Sequence, residues 1–141
     1  MTKVFPYLNF AGNTEEAFNF YQSVFGGEFS SVVRFSDTPA ADKMPENERD
    51  KIMHIGLPIN DSVILMATDT LESAGHKLVQ GNNHYISLHP ESREEAKRLY
   101  DGLSADGEIE MELHDAFWGD YFGSFTDKFG VQWMINYNPN Q

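Results

Sequence analysis

An internal repeat is the feature of this 141-residue sequence that most constrains its fold. The tripeptide Glu-Glu-Ala, followed four residues later by tyrosine, occupies residues 15–21 and recurs 79 positions later at residues 94–100. The same offset relates Asn13 to Ser92, two residue types that favour helix N-termini, and each precedes a glutamate by three positions as in a capping box. The repeat therefore predicts two equivalent helices, each beginning with a capping box.

Each predicted helix is surrounded by the same order of strands. One strand-like segment precedes the helix and three follow it, separated by turns. The strands are expected at residues 4–10, 28–35, 51–59 and 62–68 in the first half and at residues 84–89, 109–114, 121–125 and 131–137 in the second. The sequence thus predicts an α+β fold of two tandem βαβββ modules, in which helices cover one face of a curved mixed sheet and the other face forms a cleft.

The chain is expected to form one domain with internal structure. We assign residues 1–68 to module 1, residues 69–83 to a linker and residues 84–141 to module 2. Each module alone is small for an independent fold. Residues 36–50 contain two prolines and almost no side chain suited to burial, which predicts a mobile loop or lid.

Charge and composition exclude several classes of partner. Twenty-two acidic residues against ten basic ones give a net charge of −12, which repels nucleic-acid phosphates and anionic membranes. The absence of cysteine excludes disulfides and thiolate ligands. No glycine-rich phosphate loop, signal-peptide pattern or run of 18 apolar residues occurs. We expect a cytoplasmic protein with no nucleic-acid or membrane partner and no nucleotide cofactor.

Short motifs distributed over nearly the whole chain carry a resemblance to a known family. They are PYLNF at residues 6–10, FY at 20–21 with FGG at 25–27, WGD at 118–120 with FG at 122–123, and DKFG at 127–130 with Trp133. In this combination the sequence resembles the PhnB-like branch of the vicinal oxygen chelate superfamily, which includes glyoxalase I, bleomycin-resistance proteins and extradiol dioxygenases. The resemblance implies a glyoxalase-like fold, a small-molecule cavity and a homodimer. It implies no single reaction, because the superfamily contains isomerases, lyases, dioxygenases and drug-sequestering proteins.

The resemblance also implies where a metal would bind. Enzymes of the superfamily hold a divalent ion with His and Glu side chains from the first and last strands of each module. These positions fall here on Pro6, Met66, Tyr85 and Met134. None is a usual ligand for such an ion, although a register shift of one residue would bring His84 into one position and Phe5 into another. We predict no metal and no cofactor, and an adaptable apolar pocket instead.

Strand alternation and the resemblance together give a set of candidate ligand-binding residues. The candidates are His54, Met66, Tyr85, Ser87, His89, Trp118, Phe122, Gln132 and Met134. The core faces of the same strands are assigned to Ile55, Leu57 and Ile59 and to Val131, Trp133 and Ile135. His54 is a candidate for a catalytic base; the alternative is a structural histidine, because no carboxylate partner lies at a suitable spacing.

The segment around Trp118 allows two interpretations. Trp118 and Phe122 stack on a planar ligand that Asp115 or Asp120 orients, or Trp118 closes the end of the pocket as a packing residue. His89 lines the cleft or is simply exposed at a strand end. Three alternating glutamates, Glu108, Glu110 and Glu112, are interpreted as a solvated strand edge that discourages pairing between molecules.

Three functions remain open at this point. The first is metal-independent binding of a small, partly aromatic or cationic molecule, which the acidic composition favours. The second is a divalent-metal-dependent lyase or isomerase of glyoxalase type, with His54 or His89 as the base. The third is a vestigial pocket in a protein that acts through its dimer partner.

Overall fold

The computed structural model of the chain describes residues 1–140 and contains the predicted βαβββ order twice. The first unit comprises β1 (Tyr7–Phe10), α1 (Thr14–Phe25), β2 (Ser31–Arg34), β3 (Ile52–Pro58) and β4 (Ile64–Asp69). The second comprises β5 (Ile86–Leu88), α2 (Arg93–Ser104), β6 (Glu108–Asp115), β7 (Tyr121–Thr126) and β8 (Gln132–Tyr137). The predicted α+β class is confirmed. Within residues 1–140, no helix has the length and apolar character needed to cross a bilayer.

Each unit contains one four-stranded mixed sheet. The strand orders are β1-β4-β3-β2 and β5-β8-β7-β6, so the last strand of each unit lies between its first and third strands. The pairs β1–β4 and β5–β8 are parallel, and the remaining neighbours are antiparallel. The chain divides into two compact units, residues 1–79 and the residues from 80 onward.

The core of each unit lies between its helix and one face of its sheet. In the first unit the buried side chains are Phe10, Ala17, Phe18, Tyr21, Ile52, Ile55, Leu57, Leu65 and Ala67. In the second they are Ala96, Leu99, Tyr100, Leu103, Phe125, Trp133 and Ile135. Burial of these apolar side chains supplies the main free energy of folding. The assigned core faces are correct except that Ile59 and Val131, which lie outside the strands, are only half-buried.

Several strands are shorter than the sequence pattern predicts. β1 begins at Tyr7 rather than residue 4, β2 spans Ser31–Arg34 within the predicted 28–35, and β5 spans Ile86–Leu88 within the predicted 84–89. In β3 a bulge at Met53 places Ile52 opposite Arg34 and His54 opposite Val33. Strict alternation therefore fails at this point of the strand, and Ile52 is buried as well as Ile55.

Residues 36–50 contain more structure than the predicted loop. Three short 3-10 helices at Phe35–Asp37, Ala41–Lys43 and Glu46–Glu48 form along the segment. Glu48 is only 4% exposed, and its carboxylate accepts hydrogen bonds from the hydroxyl and the backbone N–H of Ser73. The sequence predicts almost no buried side chain in this segment, and Glu48 is an exception. A carboxylate is buried only where hydrogen-bond donors satisfy it, and Ser73 supplies those donors to Glu48.

The Ser73 hydrogen bonds, the hydroxyl first, lower the pKa of the Glu48 carboxyl. A carboxyl whose pKa is lower in the folded state stabilises the protein above its unfolded pKa, and that contribution is lost as the pH falls through the folded pKa. We expect Ser73→Ala to lower the Tm at pH 7 by about 3 °C and the difference to shrink in acid. Thermal scans by circular dichroism at several pH values measure it. Ser62→Ala is the control, and equal shifts for the two variants would contradict the role of Ser73.

The two helix N-termini are capped in different ways. In α2, Ser92 Oγ accepts from the Glu95 N–H at 3.0 Å, as predicted. In α1, the Asn13 side chain makes no capping hydrogen bond. The acceptor is instead Asp69, whose Oδ1 lies 3.0 Å from the Thr14 nitrogen. The capping box predicted at Asn13 is wrong, because a carboxylate at the end of β4 takes that place.

Candidate functional site

The candidate residues of the first unit share one face of its sheet. We call the sheet face opposite the helix the distal face. In β1 and β4, Tyr7 lies opposite Met66, and Met66 also lies opposite Gly56 of β3. His54 is two positions from Gly56, so it lies on the same side. The predicted residues His54 and Met66 are therefore on the distal face, together with Tyr7, which the sequence analysis did not select.

Tyr7 and His54 form a hydrogen-bonded pair on this face. The Tyr7 hydroxyl lies 3.1 Å from His54 Nδ1, and the ring centroids are 5.8 Å apart. Burial raises the pKa of the Tyr7 phenol. A hydroxyl is both a donor and an acceptor, so either tautomer of the His54 ring can form this hydrogen bond. His54 has a hydroxyl partner rather than the carboxylate sought in the sequence.

The second unit brings a larger set of candidates to its distal face. Ser87 lies opposite Met134, and Met134 lies opposite Ser124 of β7. Gln132 is two residues from Met134 in β8, and Phe122 is two residues from Ser124 in β7. Each therefore lies on the same face of the sheet as its neighbour. Four predicted residues, Ser87, Phe122, Gln132 and Met134, thus lie on one surface. Ser124, which the sequence analysis did not select, lies among them.

Glu110 makes hydrogen bonds that the sequence analysis did not predict. A register shift in β6 between Ile109 and Met111 leaves Glu110 without a cross-strand partner. Its Oε1 accepts hydrogen bonds from the Tyr85 hydroxyl at 2.6 Å and the Ser124 hydroxyl at 2.9 Å. The predicted solvated edge is present, since β6 lies at the end of its sheet and Glu108, Glu110 and Glu112 are all exposed. Glu110 differs from the other two in that neighbouring hydroxyl groups hold its carboxylate.

These hydrogen bonds also set the protonation of the pair. The Tyr85 hydroxyl, followed by Ser124, lowers the pKa of the Glu110 carboxyl. The same contact raises the pKa of the Tyr85 phenol. Glu110 is thus an anion and Tyr85 a neutral donor at neutral pH.

Two further candidates are engaged in local hydrogen bonds. Ser87 Oγ lies 3.0 Å from His89 Nε2, so these two exposed residues form a pair. The Gln132 side-chain amide donates to the His84 carbonyl. The carbonyl oxygen of Gln132 and the Ser87–His89 pair can each meet a polar ligand.

The aromatic segment between β6 and β7 is exposed. Phe117 is 97% exposed and Trp118 is 52% exposed. Trp118 contacts Phe122 edge to face, with centroids 5.7 Å apart, and donates from Nε1 to Asp120 at 3.2 Å. Trp118 and Phe122 are thus in contact, and Asp120 orients the indole.

Asp115 forms an exposed ion pair. Its carboxylate pairs with Arg93 at 2.7 Å, and the hydrogen bond from Arg93 lowers the pKa of the Asp115 carboxyl. The Arg93 guanidinium also lies 3.9 Å from the centre of the Tyr121 ring. The ion pair joins the start of α2 to the end of β6, and a role of Asp115 in orienting a ligand stays a prediction.

Comparison with known proteins agrees with this architecture. The sequence model of the Glyoxalase/Bleomycin resistance protein/Dioxygenase superfamily matches residues 5–135. The chain belongs to this superfamily. It is 37% identical over 139 residues to protein YjdN of Escherichia coli strain K12, covering 93% of this chain and 92% of YjdN.

Two solved structures extend the likeness to three dimensions. Protein PA1353 from Pseudomonas aeruginosa is 38% identical, with a TM-score of 0.86 over 98% of both chains. A PhnB protein from Bacillus cereus is 27% identical, with a TM-score of 0.76 over 96% of this chain and 99% of that one. The glyoxalase-like fold and the resemblance to the PhnB-like branch are confirmed.

The side chains at the superfamily's metal positions do not fit a divalent ion. The structure places Tyr7, rather than Pro6, opposite Met66, and Ser87, rather than Tyr85, opposite Met134. Hydroxyl and thioether groups are poor ligands for Zn²⁺ and similar ions, which prefer imidazole and carboxylate. Among residues 1–140, no group of three or more His, Asp or Glu side chains is arranged to hold a metal.

Proposed function

We propose that this member of the glyoxalase superfamily binds a small organic molecule without using a divalent metal. The observation that carries the proposal is the pairing of Tyr7 with Met66 and of Ser87 with Met134. Each pair occupies the first and last strands of a unit, where the superfamily's enzymes hold their ion. A hydroxyl beside a flexible, polarisable thioether suits contact with an organic ligand.

The other side chains of the distal faces support the same function. The second unit combines the Ser87 hydroxyl with the apolar surfaces of Phe122 and Met134. Small-molecule sites are typically apolar with a few polar groups that fix orientation. The first unit has His54 and Met66 on its own distal face. A homodimer and a cytoplasmic location belong to this proposal.

Ligand titration of metal-free protein tests the proposal. We expect tryptamine or its neutral analogue tryptophol to bind protein treated with EDTA as tightly as untreated protein, measured by isothermal titration calorimetry. Met134→Ala should weaken binding about fivefold, because apolar contact of a methionine side chain is lost. The control is Val79→Ala, which truncates a side chain that is 78% exposed.

Elemental analysis provides the opposing outcome. Stoichiometric Ni, Zn, Mn or Fe in purified protein, together with loss of binding after EDTA treatment, would overturn the proposal. That result would favour the metal-dependent lyase or isomerase instead.

A further inference from the structure

Glu110 is exposed on the edge strand of the second unit, and two hydrogen bonds hold its carboxylate on the distal face. Both hydroxyl donors, Tyr85 and Ser124, bind the same oxygen, Oε1. The second oxygen, Oε2, accepts no hydrogen bond from residues 1–140. A carboxylate fixed through one oxygen presents the other to a ligand without first losing rotational freedom.

The charge of Glu110 is not balanced by a neighbouring basic side chain. Arg93 pairs with Asp115 and Lys97 with Asp101, and the ion pairs among residues 1–140 do not include Glu110. The groups that keep its carboxyl ionised are the two neutral hydroxyls. An anion stabilised only by neutral donors keeps its full charge for an incoming cation.

Apolar and aromatic groups lie next to this anion. Met134 is directly opposite Ser124 across β7 and β8, and Phe122 shares its face two residues away. The Tyr85 ring carries the hydroxyl that binds Glu110. A carboxylate beside thioether and aromatic surfaces complements a cation attached to an apolar body.

We propose that Glu110, positioned by Tyr85 and Ser124, binds the ammonium or guanidinium group of an organic cation. This inference rests on the proposed function and specifies the charge of its ligand. It gives a binding role to a residue that the sequence pattern assigns to a solvated strand edge.

Matched cationic and neutral probes test the assignment. Tryptamine and tryptophol share an indole ring and differ in an ammonium group against a hydroxyl group. We expect the wild-type protein to prefer tryptamine and Glu110→Gln, which keeps an oxygen acceptor but removes the charge, to bind it about tenfold more weakly. Binding of tryptophol should change less than about twofold in the same variant.

Two further variants keep the result interpretable. Glu108→Gln removes the same charge from the same strand and should leave tryptamine affinity within about twofold of wild type. Tyr85→Phe removes one donor to Glu110 and should weaken tryptamine binding about threefold while the protein still folds. Circular dichroism spectra of all variants establish that the folds are equal.

The outcomes separate this inference from the function on which it rests. If the two probes bind wild-type protein equally and Glu110→Gln changes neither, the cation site is wrong and small-molecule binding stands. If Glu108→Gln weakens tryptamine binding as much as Glu110→Gln does, overall charge rather than Glu110 attracts the cation. If neither probe binds wild-type protein at millimolar concentration, both the cation site and the proposed aromatic ligand are wrong.

Discussion

Asp69→Asn is expected to lower the free energy of unfolding by about 3 kcal/mol, because it breaks a buried hydrogen-bond network at the start of α1. Asp69 is 3% exposed. Its Oδ1 accepts from the backbone N–H groups of Gly12 and Thr14 and from the Thr14 hydroxyl, and its Oδ2 accepts from the Ile52 N–H at 2.8 Å. Asparagine has only one acceptor oxygen, and backbone N–H donors face both oxygen positions of Asp69. In either orientation of the amide, its NH₂ group therefore faces a backbone donor and cannot accept from it.

Urea denaturation followed by circular dichroism measures this loss, and hydrogen exchange locates it. The amides of Gly12, Thr14 and Ile52 should lose protection more than those of the second unit. The control is Asp61→Asn, the same chemical change at an exposed turn. Wild-type stability of Asp69→Asn, with these amides still protected, would contradict the proposed capping by Asp69.

Asp127→Ala is expected to lower the free energy of unfolding by about 3 kcal/mol, through the turn between β7 and β8. Asp127 is 3% exposed. Its Oδ1 accepts from the N–H groups of Phe129 and Val131, and its Oδ2 accepts from the Trp133 indole at 2.8 Å. Alanine leaves these three donors without that acceptor, and the indole is in the centre of the core.

A double-mutant cycle with Trp133→Phe isolates the indole contact. Because phenylalanine has no N–H group, the loss caused by Asp127→Ala should be smaller by about 1 kcal/mol in the Trp133→Phe background. Urea unfolding measures all four proteins, with Asp42→Ala at an exposed position as the control. Strictly additive losses would show that the indole hydrogen bond does not contribute.

Local sequence signals predicted the fold well, and contacts between distant residues account for the errors. The cap of α2 is visible in the sequence because Ser92 and Glu95 are three residues apart. The cap of α1 is not visible, because Asp69 lies 55 positions after Thr14. The burial of Glu48 depends in the same way on Ser73, which is 25 positions away. No periodicity in a single sequence reports such contacts.

In the candidate site, too, local patterns were predicted from the sequence and contacts between distant residues were not. Alternation placed Ser87 with Gln132 and Met134 on one face, and alternation and the resemblance together placed His54 with Met66 on another, as the register shows. Neither signal revealed the hydrogen bonds of Glu110, because a bulge in β6 interrupts the alternation and its hydroxyl partners are 14 and 25 residues away. A bulge in an edge strand changes the direction of one side chain. The residues that flank it in the sequence stay the same, so the sequence pattern does not show the bulge.

The different caps of the two helices have a consequence for how the units fold. The first turn of α2 can satisfy its N–H groups as soon as it nucleates, because Ser92 belongs to the same short stretch of chain. The first turn of α1 gains its side-chain acceptor only when Asp69 is in place, which requires closing a loop of more than fifty residues and losing its conformational entropy. Docking of β4 therefore stabilises the start of α1, and formation of this helix is coupled to formation of the sheet.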